Sequence, residues 1–138
     1  MIGEIHMKSI IPEIYVENCK EALEFYKGVF GGEIKNLQLA DGKEMFKGFE
    51  GKVIHSELHI NNNCVLYFVD LFDDKSKVSA THFVLELDSE EEINRVYNTL
   101  KEAGKVGFEL QKTFWGAFHA VVTDSHGVTW GLNYTLIH

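Results

Sequence analysis

The stretch 113–134, TFWGAFHAVVTDSHGVTWGLNY, indicates the fold of this chain most clearly. The runs 117–123 and 128–134 are rich in β-branched and aromatic residues and alternate in character, which is typical of strands. The segment DSHG at 124–127, between the two runs, consists of residues that favour turns. The stretch therefore predicts a β-hairpin.

An earlier stretch, 53–70, has the same pattern, with two alternating runs around NNN at 61–63. An offset of 64 residues places Leu58 on Val122 and Phe68 on Leu132, so that the turns also coincide. Two similar hairpins indicate that one structural unit occurs twice in the chain.

The segments that precede the two hairpins also correspond. In the first half we expect a strand at 10–16, a helix at 19–30 with Asn18 as N-cap and Glu21 as capping-box partner, and a strand at 33–39. The glycine-containing segment 40–52 is expected to be a loop.

The second half repeats this order. A strand at 81–87 is followed by a helix that Ser89 and Glu92 cap, and then by a strand at 105–111. The apolar stripe expected on this helix consists of Ile93, Val96, Tyr97 and Leu100. The sequence therefore predicts an α+β protein of two βαβββ modules, about 9–70 and 80–136, within one domain that spans residues 1–138.

The composition narrows the possible partners and compartments. With 138 residues and a net charge of −8, the chain has a pI near 5.3, which argues against nucleic acid or an anionic membrane as partner. No apolar run approaches a membrane span, and the first ten residues lack the pattern of a signal peptide. Because Cys19 and Cys64 have no CxxC spacing, we expect reduced thiols in a cytoplasmic protein.

Strand alternation divides each predicted sheet into a face that packs on the helix and an opposite face. The opposite face is expected to carry many polar and aromatic side chains: Glu13, Tyr15, His55, Glu57, His59, Tyr67, His82, Glu86, His119, Thr123 and Asn133. Such a face is unusual for a core. It either faces solvent or lines a cleft where the two modules meet.

His55, Glu57 and His59 alternate on one strand, so their side chains project from one face, with Cα atoms about 6–7 Å apart. This spacing suits a polar ladder that lines a cleft or faces a dimer partner. With His82, these residue types are also suitable donors for a divalent metal. His82 alone is either a structural histidine or a general base.

Two aromatic residues, Phe114 and Trp115, precede the seventh strand. They are candidates for a stacking wall against an organic ligand, and Trp115 is equally suited to a dimer interface. Trp130 falls on the helix-facing side and is expected in the core. No GxGxxG, P-loop or GxSxG motif is present.

Several motifs resemble the vicinal oxygen chelate superfamily, which includes glyoxalase I, extradiol dioxygenases, and bleomycin and fosfomycin resistance proteins. They are EALEFYKGVFGGE at 21–33, IHSELHI at 54–60, QKTFWGAF at 111–118 and VTDSHGVTWGLN at 122–133. The resemblance covers about residues 9–135. Within the superfamily, the chain resembles the PhnB-like branch more specifically. The resemblance implies eight strands in an open, cupped sheet around one cavity, and a homodimer.

Metal-dependent members of this superfamily hold one divalent ion with four ligands, from the first and last strands of each module. The resemblance implies that the corresponding positions in this chain are Ile11, Tyr67, His82 and Gly131. A catalytic metal needs about three protein ligands, and only His82 is an ordinary one, so we do not carry the metal chemistry over. The branch is often labelled a demethylubiquinone methyltransferase. No glycine-rich methyl-donor site is visible, so we expect that label to be wrong.

The function that these observations favour is binding of a small organic molecule by a PhnB-like cytoplasmic homodimer with a degenerate metal site and no assigned cofactor. One alternative is a metal-dependent lyase, dioxygenase or thiol transferase that uses His82, Glu57 and His59. The other is sequestration of a drug-like toxin in an aromatic cleft, as in bleomycin resistance. The residues expected to line the cavity are Tyr15, His55, Glu57, Tyr67, His82, Trp115 and His119.

Overall fold

The computed structural model describes residue 6 and residues 8–72 and 82–136. The chain divides into two compact units, 1–72 and 73–138, which we call module one and module two. Module one contains β1 (Glu13–Val16), α1 (Cys19–Phe30), β2 (Glu33–Leu39), a 3₁₀ turn (Glu44–Phe46), β3 (Val53–Asn61) and β4 (Cys64–Asp70). Module two contains β5 (Phe83–Glu86), α2 (Glu90–Lys101), β6 (Lys105–Lys112), β7 (Ala117–Thr123) and β8 (Thr129–Thr135).

Each module forms one four-stranded mixed sheet. The strand orders are β1-β4-β3-β2 and β5-β8-β7-β6, and in each sheet the first pair is parallel and the other pairs are antiparallel. The predicted α+β class and the two βαβββ modules are therefore confirmed. The eight strands are divided equally between the two sheets.

The strand registers repeat as the sequence predicted. In the parallel pair of module one, Tyr15 lies opposite Val69, and in module two Glu86 lies opposite Asn133. An offset of 71 residues relates the two first strands, and an offset of 64 residues relates the two hairpins. The two modules are thus the same unit in register as well as in element order.

One face of each sheet packs against its helix. In module one, the ring of Tyr26 stacks on Phe68 with 4.8 Å between centroids, and both side chains are fully buried. In module two, Trp130 is fully buried as predicted, and its indole Nε1 donates a hydrogen bond to Asp124 at 2.8 Å. The buried side chains of α2 are the predicted Ile93, Val96, Tyr97 and Leu100.

The two helices begin in different ways. The Ser89 hydroxyl accepts a hydrogen bond from the backbone N–H of Glu92 at 3.0 Å, as the sequence predicted. Asn18 occupies the N-cap position of α1 as predicted, but it is in the left-handed region (φ 53°) and its side chain makes no cap hydrogen bond. Instead, the carboxylate of Asp70, at the end of β4, accepts from the N–H of Cys19 at 2.8 Å.

The boundaries of two strands differ from expectation. The strand predicted from residue 10 begins at Glu13, after Pro12, which has no N–H to donate. Thr81, the predicted start of β5, lies outside the described residues, as does most of the connection between the modules. Among the described residues, neither 12-residue helix has the length and apolarity of a membrane span.

Candidate functional site

The face of the module-one sheet opposite α1 carries a hydrogen-bonded group that we call the Glu57 cluster: Asn36, His55, Glu57 and His59. The two carboxylate oxygens of Glu57 contact one imidazole each, His55 Nε2 at 2.6 Å and His59 Nε2 at 2.7 Å. The Asn36 amide donates a third hydrogen bond at 3.1 Å. Strand alternation places the three β3 side chains on one face, as the sequence predicted.

The electrostatics of the cluster favour an ionised carboxylate. Hydrogen bonds from His55 and then from His59 lower the pKa of Glu57 from 4.5 to about 2, with a smaller contribution from Asn36. Partial desolvation opposes this change but is outweighed. Glu57 therefore carries a negative charge at neutral pH.

This charge determines which nitrogen of each imidazole carries the proton. A carboxylate only accepts hydrogen bonds, so each Nε2 carries its proton, and in the neutral ring the lone pair is on Nδ1. Within residues 8–72 and 82–136, neither Nδ1 has a hydrogen-bond partner, and no buried side-chain nitrogen or oxygen lacks one. The two Nδ1 atoms are therefore open to solvent.

Asn36 was not among the predicted site residues. It lies in β2 with a positive φ of 54°, at a point where the register with β3 shifts between Lys35 and Gln38. An asparagine inside an otherwise regular strand is a signal for such an irregularity, since asparagine tolerates this conformation better than most residues.

Two predicted tyrosines lie on the same face. Tyr67 is the register partner of Glu57, and its ring packs edge-to-face with that of His55, with 4.8 Å between centroids. Tyr15 is half exposed and lies opposite Val69, two residues along β4 from Tyr67. Module one thus brings together four of the seven predicted residues.

In module two, the corresponding face carries a chain of hydrogen bonds that we call the Glu86 chain: Glu86, Asn133 and His119. The Asn133 amide nitrogen donates to the carboxylate of Glu86 at 2.8 Å, and its oxygen contacts His119 Nδ1 at 3.0 Å. The hydrogen bond from Asn133, and then those from Thr135, lower the pKa of Glu86. Glu86 and Asn133 were placed on this face from the sequence but not among the binding residues.

Two aromatic rings contact the imidazole of His119. Trp115, in the turn before β7, packs edge-to-face with the imidazole at 5.5 Å between centroids, and Phe108 of β6 does so at 5.7 Å. Phe114 contacts the Trp115 ring and is almost fully exposed. Module two therefore brings the predicted Trp115 and His119 together and adds Phe108, which the sequence did not indicate.

The residues at the family's metal positions do not fit a metal ion. Ile11 and Gly131 have no side-chain donor, and His82, exposed and directly before β5, is the one ordinary ligand of the four. In residues 6, 8–72 and 82–136, no group of three or more His, Cys, Asp or Glu side chains is arranged to hold a metal. For Glu57 and His59 to ligate, their mutual hydrogen bond would have to break.

A separate groove of about 500 Å³ opens between α1 and β2. Its lining includes Leu23, Ile34 and Leu37, flanked by Lys20 and Lys27. None of the seven predicted residues lines it. It lacks hydrogen-bonded polar groups comparable to the Glu57 cluster or the Glu86 chain, so we do not regard it as the functional site.

Comparison with known proteins agrees with this fold. The chain is 25% identical to Protein YjdN of Escherichia coli (strain K12), and the match covers 86% of this chain and 89% of YjdN. The structure of protein PA1353 from Pseudomonas aeruginosa is similar with a TM-score of 0.84 at 26% identity, covering 95% of this chain and 100% of that one. The PhnB protein of Bacillus cereus, at 23% identity and a TM-score of 0.75 over 93% of this chain and 100% of that one, shares the fold.

The sequence model of one family matches residues 6–132, nearly the whole chain, and thus both modules. The chain belongs to the Glyoxalase/Bleomycin resistance protein/Dioxygenase superfamily.

Proposed function

We propose that the protein binds a small organic molecule on the helix-free faces of its two sheets, without a bound metal ion. The residues that we expect to contact the ligand are Tyr15, His55, Glu57, Tyr67, His82, Trp115 and His119. No reaction is assigned, and methyl transfer is not proposed, because the chain has no glycine-rich methyl-donor motif.

One observation carries this proposal: three histidines are each held by a hydrogen bond at one ring nitrogen, while the other nitrogen is open. His55 and His59 are held by Glu57, and His119 is held by Asn133. Fixed polar atoms beside aromatic rings are the usual composition of a small-molecule site. An imidazole that a hydrogen bond already fixes also loses little conformational freedom when a ligand binds.

The proposal is tested with isotopically labelled protein after dialysis against EDTA. A library of small aromatic and polar fragments is added at millimolar concentration, and NMR peak shifts are mapped onto the sequence. We expect ligands that perturb the signals of His55, Tyr67, Trp115 or His119. The variants His55→Gln and His119→Gln weaken binding, whereas His6→Gln, which changes an exposed histidine outside both sheets, leaves it unchanged.

The proposal fails if no fragment binds the metal-free protein, or if binding requires an added divalent ion. A ligand whose footprint is confined to the groove between α1 and β2 would also contradict it.

We further propose that the protein is a cytoplasmic homodimer. Phe114 is 97% exposed and Met45 is 84% exposed, and both residue types are enriched at protein interfaces. Both cysteines are free thiols, which agrees with a reducing compartment. Sedimentation equilibrium tests the dimer, and fractionation of the host cell tests the location. A monomer at high micromolar concentration, or recovery outside the cytoplasm, would contradict these proposals.

We also propose that residues 1–138 form one domain. The family match across both modules supports this. Calorimetry should show one unfolding transition whose calorimetric and van't Hoff enthalpies agree, whereas two separate transitions would contradict it.

A further inference from the structure

The Glu86 chain has a direction that its hydrogen bonds determine. The carboxylate of Glu86 only accepts, and it already accepts from the backbone N–H of Thr135 at 2.9 Å. The atom of Asn133 that faces Glu86 must therefore be the amide nitrogen, which places the amide oxygen toward His119. Because this oxygen accepts, Nδ1 of His119 must donate, and so Nδ1 carries the proton.

The neutral His119 ring thus presents its lone pair on Nε2. Within residues 8–72 and 82–136, this Nε2 has no hydrogen-bond partner. Since no buried side-chain nitrogen or oxygen in those residues is unpartnered, Nε2 is open to solvent. His55, which occupies the equivalent repeat position, is held by Nε2 instead and leaves Nδ1 open. The two equivalent histidines therefore have opposite tautomers.

Aromatic surface flanks the His119 ring. Trp115 and Phe108 each contact the imidazole edge-to-face, with interplanar angles of 70° and 62°. The Trp115 side chain is 51% exposed and Phe108 is 38% exposed. Ring area thus remains for stacking beside a fixed hydrogen-bond acceptor.

We infer that His119, Trp115 and Phe108 form a subsite for a planar aromatic ligand that bears an O–H or N–H donor. The ring system stacks on Trp115 or Phe108, and the donor bonds to Nε2 of His119. Asn133 and Glu86 are positioning residues, since they fix the tautomer without touching the ligand. The inference rests on the proposed small-molecule function and specifies its ligand class.

Such a subsite discriminates between ligands of similar shape. A ligand without a donor leaves the Nε2 lone pair without a hydrogen bond. A ligand with an anionic oxygen also binds poorly, because Nε2 has no N–H to donate to that oxygen. A single neutral hydrogen bond contributes about 1 kcal/mol, or about fivefold in affinity. The subsite should therefore favour a phenol over its methyl ether by about that factor.

The first test measures the tautomer without any ligand. Long-range ¹H–¹⁵N spectra at alkaline pH, where ordinary histidine is neutral, should show Nδ1–H for His119 and Nε2–H for His55. In Asn133→Ala, His119 should change to the Nε2–H form that free histidine favours, while His55 stays unchanged. An Nε2–H tautomer for His119 in the unmodified protein would overturn the inference.

The second test compares 2-naphthol with 2-methoxynaphthalene by NMR titration of the EDTA-treated protein. We expect 2-naphthol to bind about fivefold more tightly, with shifts at the Trp115 indole and at His119. In His119→Phe, which keeps a planar ring but removes the acceptor, the two probes should bind equally. Trp115→Leu should weaken both probes alike.

Three results would overturn the inference: equal affinities in the unmodified protein, a preference that persists in His119→Phe, or no binding of either probe. If 2-naphthol instead shifts only His55 and Tyr67, the inference fails and the proposed function stands. If the fragment library also finds no ligand, both fail.

Discussion

The substitution Glu57→Gln should destabilise the protein at neutral pH and have progressively less effect in acid. Glu57 is the shared acceptor of two imidazoles, and its carboxyl pKa falls from 4.5 to about 2 on folding. A pKa difference of that size corresponds to at most about 3.4 kcal/mol. The side chains of His55 and His59 are 28% and 32% exposed, so competition from water reduces the expected contribution to about 1–2 kcal/mol.

The sign of the pH dependence follows from the lowered pKa. Above pH 4.5 the carboxyl is ionised in both the folded and the unfolded chain, and its full contribution to stability is present. As the pH falls from 4.5 toward 2, the unfolded chain takes up the proton first, and the contribution is lost. By pH 3 more than half of the difference between the unmodified protein and Glu57→Gln should have disappeared.

Urea unfolding at pH 7, 5, 4 and 3 measures this difference. The control is Glu24→Gln, which neutralises an exposed carboxylate on α1 and should change the free energy of unfolding by less than about 0.5 kcal/mol at every pH. If Glu57→Gln costs nothing at pH 7, or if its cost is the same at pH 7 and pH 3, the hydrogen bonds of Glu57 do not stabilise the fold in this way.

Three further predictions concern module one. The thiol of Cys19 is buried, and this burial is the main reason why its pKa rises to about 11. A disulfide reagent should therefore titrate one thiol per native chain, the exposed Cys64, and two thiols in denaturant. Two fast-reacting thiols in the native protein would contradict this prediction. Gly32→Ala should cost about 3 kcal/mol or more in thermal unfolding, because a Cβ there would meet a β3 backbone oxygen at 2.3 Å at a φ of +94°. Gly31→Ala is the control, because a Cβ there would meet open space. Its φ of 79° and ψ of −166° lie in a region that is essentially restricted to glycine, so this variant should cost about 1–3 kcal/mol and less than Gly32→Ala; equal costs would contradict the steric argument. Asp70→Asn should cost about 2–3 kcal/mol in chemical denaturation. The carboxylate accepts hydrogen bonds from two backbone N–H groups, and in the variant one of these groups would face an amide N–H instead. An unchanged stability would show that Asp70 does not cap α1.

The positions that follow local periodicity could be predicted from the sequence. Alternation along β3 placed His55, Glu57 and His59 on one face, and helical periodicity identified the buried stripe of α2. These predictions succeeded because the backbone of these elements is regular, so the direction of each side chain depends only on its neighbours in sequence.

The remaining features depend on irregular backbone or on distant partners. In β6 the register with β7 shifts between Val106 and Phe108, so that Phe108 lies opposite Val121. This shift brings Phe108 to the same face as His119 and breaks the period of two. In β2 a similar shift presents Asn36 to Glu57. The cap of α1 comes from Asp70, 51 residues away from Cys19, and local sequence has no signal for a partner at that distance.

We propose that this member of its superfamily binds its ligand without a metal ion, and the metal content of the purified protein is the decisive measurement. Protein purified without an affinity tag is analysed for its elements before and after dialysis against EDTA, and after exposure to nickel, zinc or manganese. We predict less than about a tenth of an equivalent per chain throughout, since one ordinary ligand among four positions does not make a catalytic site. One equivalent per chain that is lost in His82→Ala would contradict metal-free binding.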